Sequence, residues 1–113
     1  HAHVGLALSQ PLACFLYCPG ENAVKVIEYM AAGIPVLCSN FPGLKVFVED
    51  SGCGRVVRPD DPVAIAAAIR RMYEDAGLRQ RCGANGRRLF ETEFHWEKQE
   101  HRLVELYGRI LKA

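Results

Sequence analysis

The sequence lacks any long apolar run. Half of its 113 residues are apolar, yet no stretch approaches the roughly 18 unbroken apolar residues that cross a bilayer. It also lacks an excess of one charge: 14 Lys and Arg against 13 Asp and Glu leave a formal net charge of +1, so nothing in the balance calls for nucleic acid or an acidic membrane as partner. The start, His1-Ala2-His3-Val4, has neither an initiating methionine nor the basic region and apolar core of a secretion signal. The cytoplasm is therefore the expected compartment, and a start inside a longer chain is expected.

Five cysteines, Cys14, Cys18, Cys38, Cys53 and Cys82, are an odd number scattered along the chain, which suits reduced thiols better than a disulfide framework. Cys14 and Cys18 have no second Cys or His pair at ligand spacing, and His95 and His101 stand apart from any ligand set, so no metal is expected. No Gly-x-Gly-x-x-Gly follows the first strand, which argues against a dehydrogenase or flavodoxin-like cofactor domain. Ser9, Ser39 and Ser51 lack a nucleophile-elbow pattern, so a hydrolase triad is unsupported.

What is present alternates between strand and helix. Small and aliphatic residues over 4–9 read as a buried strand, and 10–21 is a long loop carrying Pro11, Pro19 and Gly20. A helix over 22–32 is predicted, with Val24, Ile27 and Ala31 on its inner face and Val26, Tyr29 and Met30 widening it. Gly33 is its left-handed stop, and Pro35 forbids its resumption. Val36-Leu37-Cys38 reads as a strand buried on both faces. A short helix over 43–50 turns Leu44, Val46, Phe47 and Val48 inward, and a third strand covers 54–58.

Asp60 and Asp61 read as caps of a helix running to about residue 75, its inner stripe Ile65, Ala66, Ile69, Met72 and Tyr73. A further helix over 78–91 carries possible breaks at Gly83 or Gly86. The last, over 96–111, repeats Leu103, Leu106, Tyr107, Ile110 and Leu111 at helical spacing, with Phe94 and Trp96 as its packing. The order predicts an α/β fold, a three-layer Rossmann-like half with about three parallel strands and C-terminal helices. Such a half leaves its first strand without a neighbour, so self-association through that bare edge is expected.

Two features carry chemistry. The backbone N–H groups of Glu21, Asn22, Ala23 and Val24 converge where the second element begins, which suits an anion such as a phosphate, although water at a capped helix end is an equal reading. Lys25 sits in the first turn, where a cation is mildly unfavourable unless an anion compensates. Glu28 lies on a largely apolar segment and needs solvent or hydrogen-bond donors; sugar hydroxyls are such donors, and an ion pair with Lys25 is the plainer reading.

The run Lys25-Val26-Ile27-Glu28-Tyr29-Met30-Ala31-Ala32-Gly33-Ile34-Pro35-Val36 is followed by Ser39-Asn40-Phe41-Pro42-Gly43, by Glu49-Asp50-x-Gly52-x-Gly54 and by Pro59-x-Asp61-Pro62. In this order and spacing the blocks resemble the group-1 retaining glycosyltransferases of the GT-B fold, and specifically the later half of their C-terminal, donor-binding domain. The resemblance implies that residues 1–113 are a single segment, the C-terminal part of a nucleotide-sugar-binding domain. Its role would be to supply the ribose and pyrophosphate side of a donor site for glycosyl transfer to an acceptor hydroxyl.

By that resemblance Glu28 accepts hydrogen bonds from the ribose hydroxyls, and the backbone near Asn22, Ala23, Val24 and Lys25 meets the pyrophosphate. The family's first glutamate falls at position 20, which is Gly20 here; Glu21, one residue later, is the candidate replacement for a catalytic contact. The resemblance implies no cofactor and no metal, a nucleotide-diphosphate sugar as substrate, and an N-terminal glycosyltransferase half as partner. It also implies a cytoplasmic enzyme or one peripheral to a membrane. With that half absent, the chain alone is expected to show little or no turnover. A non-catalytic remnant or interaction module that keeps the fold is the alternative.

Overall fold

A computed structural model describes residues 2–9 and 23–112. Three strands, β1 (Gly5–Ala7), β2 (Val36–Ser39) and β3 (Gly54–Val57), form one sheet in the order β1-β2-β3. Both pairings are parallel, with Gly5 opposite Val36 and Val36 opposite Gly54. Parallel neighbours need crossovers, and helices supply them: α1 (Val24–Ala31) precedes β2, and α2 (Pro42–Ser51) joins β2 to β3. The α/β, Rossmann-like half read from the sequence is the architecture observed.

Strand β2 is buried at all four positions, and its alternation divides the core. Val36 and Cys38 point into a cluster with Val26 and Met30 of α1 and Leu44 and Val48 of α2, whereas Leu37 meets Met72, Leu78 and Cys82 on the opposite face. Helices thus cover both faces of a short sheet. The α1 stripe is narrower than the sequence suggests: Val26 and Met30 are buried, but Val24 is 68% exposed, because Val24 lies on the face opposite the sheet. On α2, Val46 is exposed too, while Leu44 and Val48, one turn apart, anchor the helix.

The end of α1 is built by its sequence. The N–H of Gly33 donates to Met30 O at 3.1 Å and that of Ile34 to Tyr29 O at 2.9 Å, a Schellman closure that places Gly33 at φ 70°. Gly52 ends α2 in the same left-handed region, at φ 67°.

Helix α3 (Pro62–Glu74) starts at Asp61, whose Oδ1 accepts from the Ala64 N–H at 3.0 Å. Asp60 is not a cap: it pairs with Arg58 at 3.0 Å. Of the expected α3 stripe only Met72 is buried; Ala66, Ile69 and Tyr73 are exposed, since α3 touches the sheet through its last turns. Asp75 then closes α3 and caps α4 (Ala76–Leu89), accepting from the Leu78 N–H at 2.9 Å.

No break occurs at Gly83 or Gly86; α4 is continuous. It begins on the second face of the sheet with Leu78 and Cys82 and passes beneath the amino ends of β2 and β3. A Cβ on Gly83 would strike the Gly33 carbonyl, and one on Gly86 would lie 3.2 Å from both Cys53 Cβ and Met30 Cγ. The two glycines allow α4 to cross against backbone. Arg87 on α4 donates to Ala31 O, satisfying the carboxyl end of α1.

A π-helical segment (Phe90–Phe94) then leads through an extended His95 into α5 (Trp96–Lys112). Phe94 packs edge-on against Phe47 at 5.9 Å. Trp96, read as packing, is 65% exposed, and α5 buries no residue: Leu103, Leu106, Tyr107, Ile110 and Leu111 all face out.

Candidate functional site

In open α/β sheets ligands lie outside the carboxyl ends of the strands, and here that edge carries the start of α1. Ala23 is its cap residue, with extended backbone and no side-chain cap bond, and the first turn contains no acid. The first intrahelical bond is Ile27 N–H to Ala23 O at 3.1 Å, so the N–H groups of Val24, Lys25 and Val26 have no helical partner. Lys25 is exposed within this turn. The arrangement leaves a partial positive charge and a full one facing outward together.

Glu28 is exposed, one turn after Val24 on the same face. Side chains on a helix lean toward its amino end, and Glu28 stands about 6 Å along the axis from Val24 at about 1.5 Å per residue. The pairing of Glu28 with Lys25 weighed from the sequence is not formed: the ion pairs among the described residues are Arg58–Asp60, Arg87–Glu91 and Arg102–Glu93. Ala23, Val24, Lys25 and Glu28 thus share one helix end. Gly20, Glu21 and Asn22 fall outside the described residues.

Two side chains to which sequence reasoning gives no role at the site hold β1 in place. Ser39, fully buried at the carboxyl end of β2, accepts from the Ser9 N–H at 2.8 Å and donates to Ser9 O at 2.9 Å. It fixes the chain where it leaves β1. Tyr29 lays its ring against Gly5, where no Cβ fits, and donates its hydroxyl to Leu6 O at 3.0 Å. The signals for Ser39 in the sequence are a polar residue directly after an apolar strand and its place at the head of the Ser39-Asn40-Phe41-Pro42-Gly43 block.

The shifted thiols are core side chains of the sheet and α4 and not side chains of the α1 start. Burial, and then the neighbouring Cys53, pushes the Cys38 thiol up to about 12, and burial also raises Cys53. Such thiols are poor nucleophiles. Among the described residues no three His, Cys, Asp or Glu gather as metal ligands, and no helix is long and apolar enough to cross a membrane.

A parallel sheet flanked by helices, with a helix start at its carboxyl edge that the cap residue Ala23 does not close with a side chain, is the α/β class whose ligands gather at strand ends. Comparison with known proteins narrows this. Residues 21–89 match the family described as Glycosyl transferases group 1, and the chain belongs to that family. It is 34% identical over 104 residues to the D-inositol 3-phosphate glycosyltransferase of Streptomyces avermitilis, covering 89% of this chain and 22% of that protein. It is 28% identical over 107 residues to the MMP alpha-(1->4)-mannosyltransferase of Mycolicibacterium hassiacum, covering 94% and 26%.

Sucrose-phosphate synthase from Thermosynechococcus elongatus superposes with a TM-score of 0.77 at 31% identity, over 99% of this chain and 26% of that one. The fold is thus that of a GT-B Rossmann-like half. The chain spans about a fifth to a quarter of the length of these proteins.

Proposed function

We propose that this chain, as the C-terminal part of a nucleotide-sugar-binding domain, forms the ribose and pyrophosphate side of a donor site in a retaining glycosyltransferase. The observation that carries the reading is the open start of α1, with Lys25 in its first turn and Glu28 one turn behind on the same face. A diphosphate seated on the N–H groups of Val24, Lys25 and Val26 gains both the helix dipole and the Lys25 charge. Its ribose then reaches back along α1 to Glu28, whose carboxylate accepts from the two hydroxyls. Asn22 extends the pyrophosphate contact, and Glu21 is the candidate for the donor-sugar contact in place of Gly20.

Retaining transfer to an acceptor hydroxyl needs the leaving diphosphate neutralised and the acceptor held across a cleft. Those tasks fall to the remainder of a longer, cytoplasmic enzyme, so the chain alone binds donor and turns over little or nothing. No metal or other cofactor is assigned a role. The sequence at Gly20 favours one second reading, a donor-fold module that no longer catalyses; it predicts nucleotide binding without transfer even when the whole enzyme is assayed.

The test is calorimetric titration of the chain with UDP, GDP and their sugars, alongside Glu28→Ala. A charge-assisted hydrogen bond contributes about 1.5–3 kcal/mol, so one nucleotide series should bind and weaken roughly tenfold to a hundredfold in the variant. Absence of binding to either form at millimolar nucleotide overturns the proposal.

A further inference from the structure

A second polar recess lies at the opposite end of the sheet, against the amino end and free edge of β3. Its volume is about 420 Å³, and its walls include Arg55 of β3, Arg81, Cys82 and Asn85 of α4, and Glu49 of α2. Neither Arg55 nor Arg81 enters an ion pair among the described residues, although Glu49 shares the cavity with them. The two guanidinium groups act on one point: burial raises the Cys82 thiol, while the charges of Arg55 and then Arg81 pull it back down. Asn85 donates to Gly52 O at 3.2 Å, which fixes the amide and leaves its second N–H for another acceptor.

The backbone adds donors. Val36 N–H bonds Cys53 O and Asn40 N–H bonds Val57 O, so alternate residues of β3 face β2 and the N–H groups of Gly54 and Val56 point out along the free edge. Both residues line the recess.

We propose that this recess binds a phosphate monoester, with Arg55 and Arg81 as forked donors to the phosphoryl oxygens and the edge N–H groups of Gly54 and Val56 completing the cradle. Arginine suits a planar, two-point grip on such oxygens. The volume falls within the small-ligand range of about 300–1,000 Å³ and exceeds what phosphate fills, leaving space for an ester group beside Val56 and Leu78. Charges that merely protect an edge strand from pairing do not require unpaired donors converging on one cavity. The site is separate from the α1 end, so it stands or falls independently of donor binding there.

The test is an amide NMR titration of the 113-residue chain with inorganic phosphate and then glycerol 3-phosphate, with chloride at matched ionic strength as control. Saturable shifts are expected at Gly54, Val56, Arg81 and Asn85, together with slower alkylation of Cys82 as the anion neutralises the arginines. Arg55→Gln and Arg81→Gln should each weaken binding about tenfold or more, with Arg81→Lys intermediate because it keeps charge and loses the fork. Glu49→Gln should tighten binding, a gain that unfolding cannot mimic. The proposal is overturned by absence of saturable shifts at millimolar phosphate, by equal shifts with chloride, or by shifts confined to Val24 and Lys25.

Discussion

Glu28 shows how little a single residue says without its setting. Its charge and exposure alone suit any surface helix; only the resemblance of the blocks around it carries the proposal that it holds a ribose. Because it is exposed and makes no ion pair among the described residues, Glu28→Ala should change thermal stability by no more than about 0.5 kcal/mol while weakening nucleotide binding, and calorimetric unfolding beside titration separates the two. Cys38 is the opposite case. Its thiol is raised from an ordinary 9.0 to about 12, so the folded state holds the proton more tightly than the unfolded chain. The resulting stability is complete below about pH 9 and is lost as pH rises toward 12. Denaturant midpoints measured across that range should fall, and the fall should be shallower in Cys38→Ala, whose remaining slope comes from the other buried thiols.

Elements were legible where local chemistry is self-contained. The passage from α1 through Gly33 and Pro35 into β2 could be read because a left-handed stop, a missing N–H and an all-apolar strand each act locally. Asp61 likewise caps α3 as its sequence suggests, and Asp61→Ala should cost about 1 kcal/mol in chemical denaturation. Helix α4 is where the sequence places it, but the break it allows at a glycine does not occur, because glycine has two meanings. At Gly83 and Gly86 it marks close approach and not a break, and only the third dimension reveals the carbonyl of Gly33 and the side chain of Met30 waiting there. Gly83→Ala should force α4 away from the β2 entry and destabilise by about 1–3 kcal/mol; an unchanged denaturation midpoint would show that the crossing is slack. The buried stripe of α3 is narrower than the expected one for a related reason, since a period of 3.6 gives a face but not how much of its length meets the sheet.

For the whole molecule, the fold class follows from element order, but the partners of its surfaces do not. The apolar residues repeated along α5 stay exposed among the described residues, because amphipathicity specifies a face and never its occupant. If the chain acts within a longer enzyme, as proposed above, α5 and β1 are the surfaces it leaves for the remainder. At β1, Gly5 N–H bonds Pro35 O toward β2, so the backbone of Leu6 faces the free side, where the Tyr29 hydroxyl satisfies its carbonyl. The chain should therefore self-associate through this edge, and Tyr29→Phe, which frees that acceptor, should associate more strongly in sedimentation. A monomer from micromolar to millimolar concentration would remove this part of the account.

The central claim is that the start of α1 receives a nucleotide diphosphate, and the most direct measurement is amide NMR of the chain titrated with UDP and with GDP. The account predicts saturable shifts at Val24, Lys25 and Val26 for at least one nucleotide, extending to Glu28 and much reduced when a free nucleoside replaces the diphosphate. Shifts that avoid these four residues, or none at millimolar nucleotide, would contradict it.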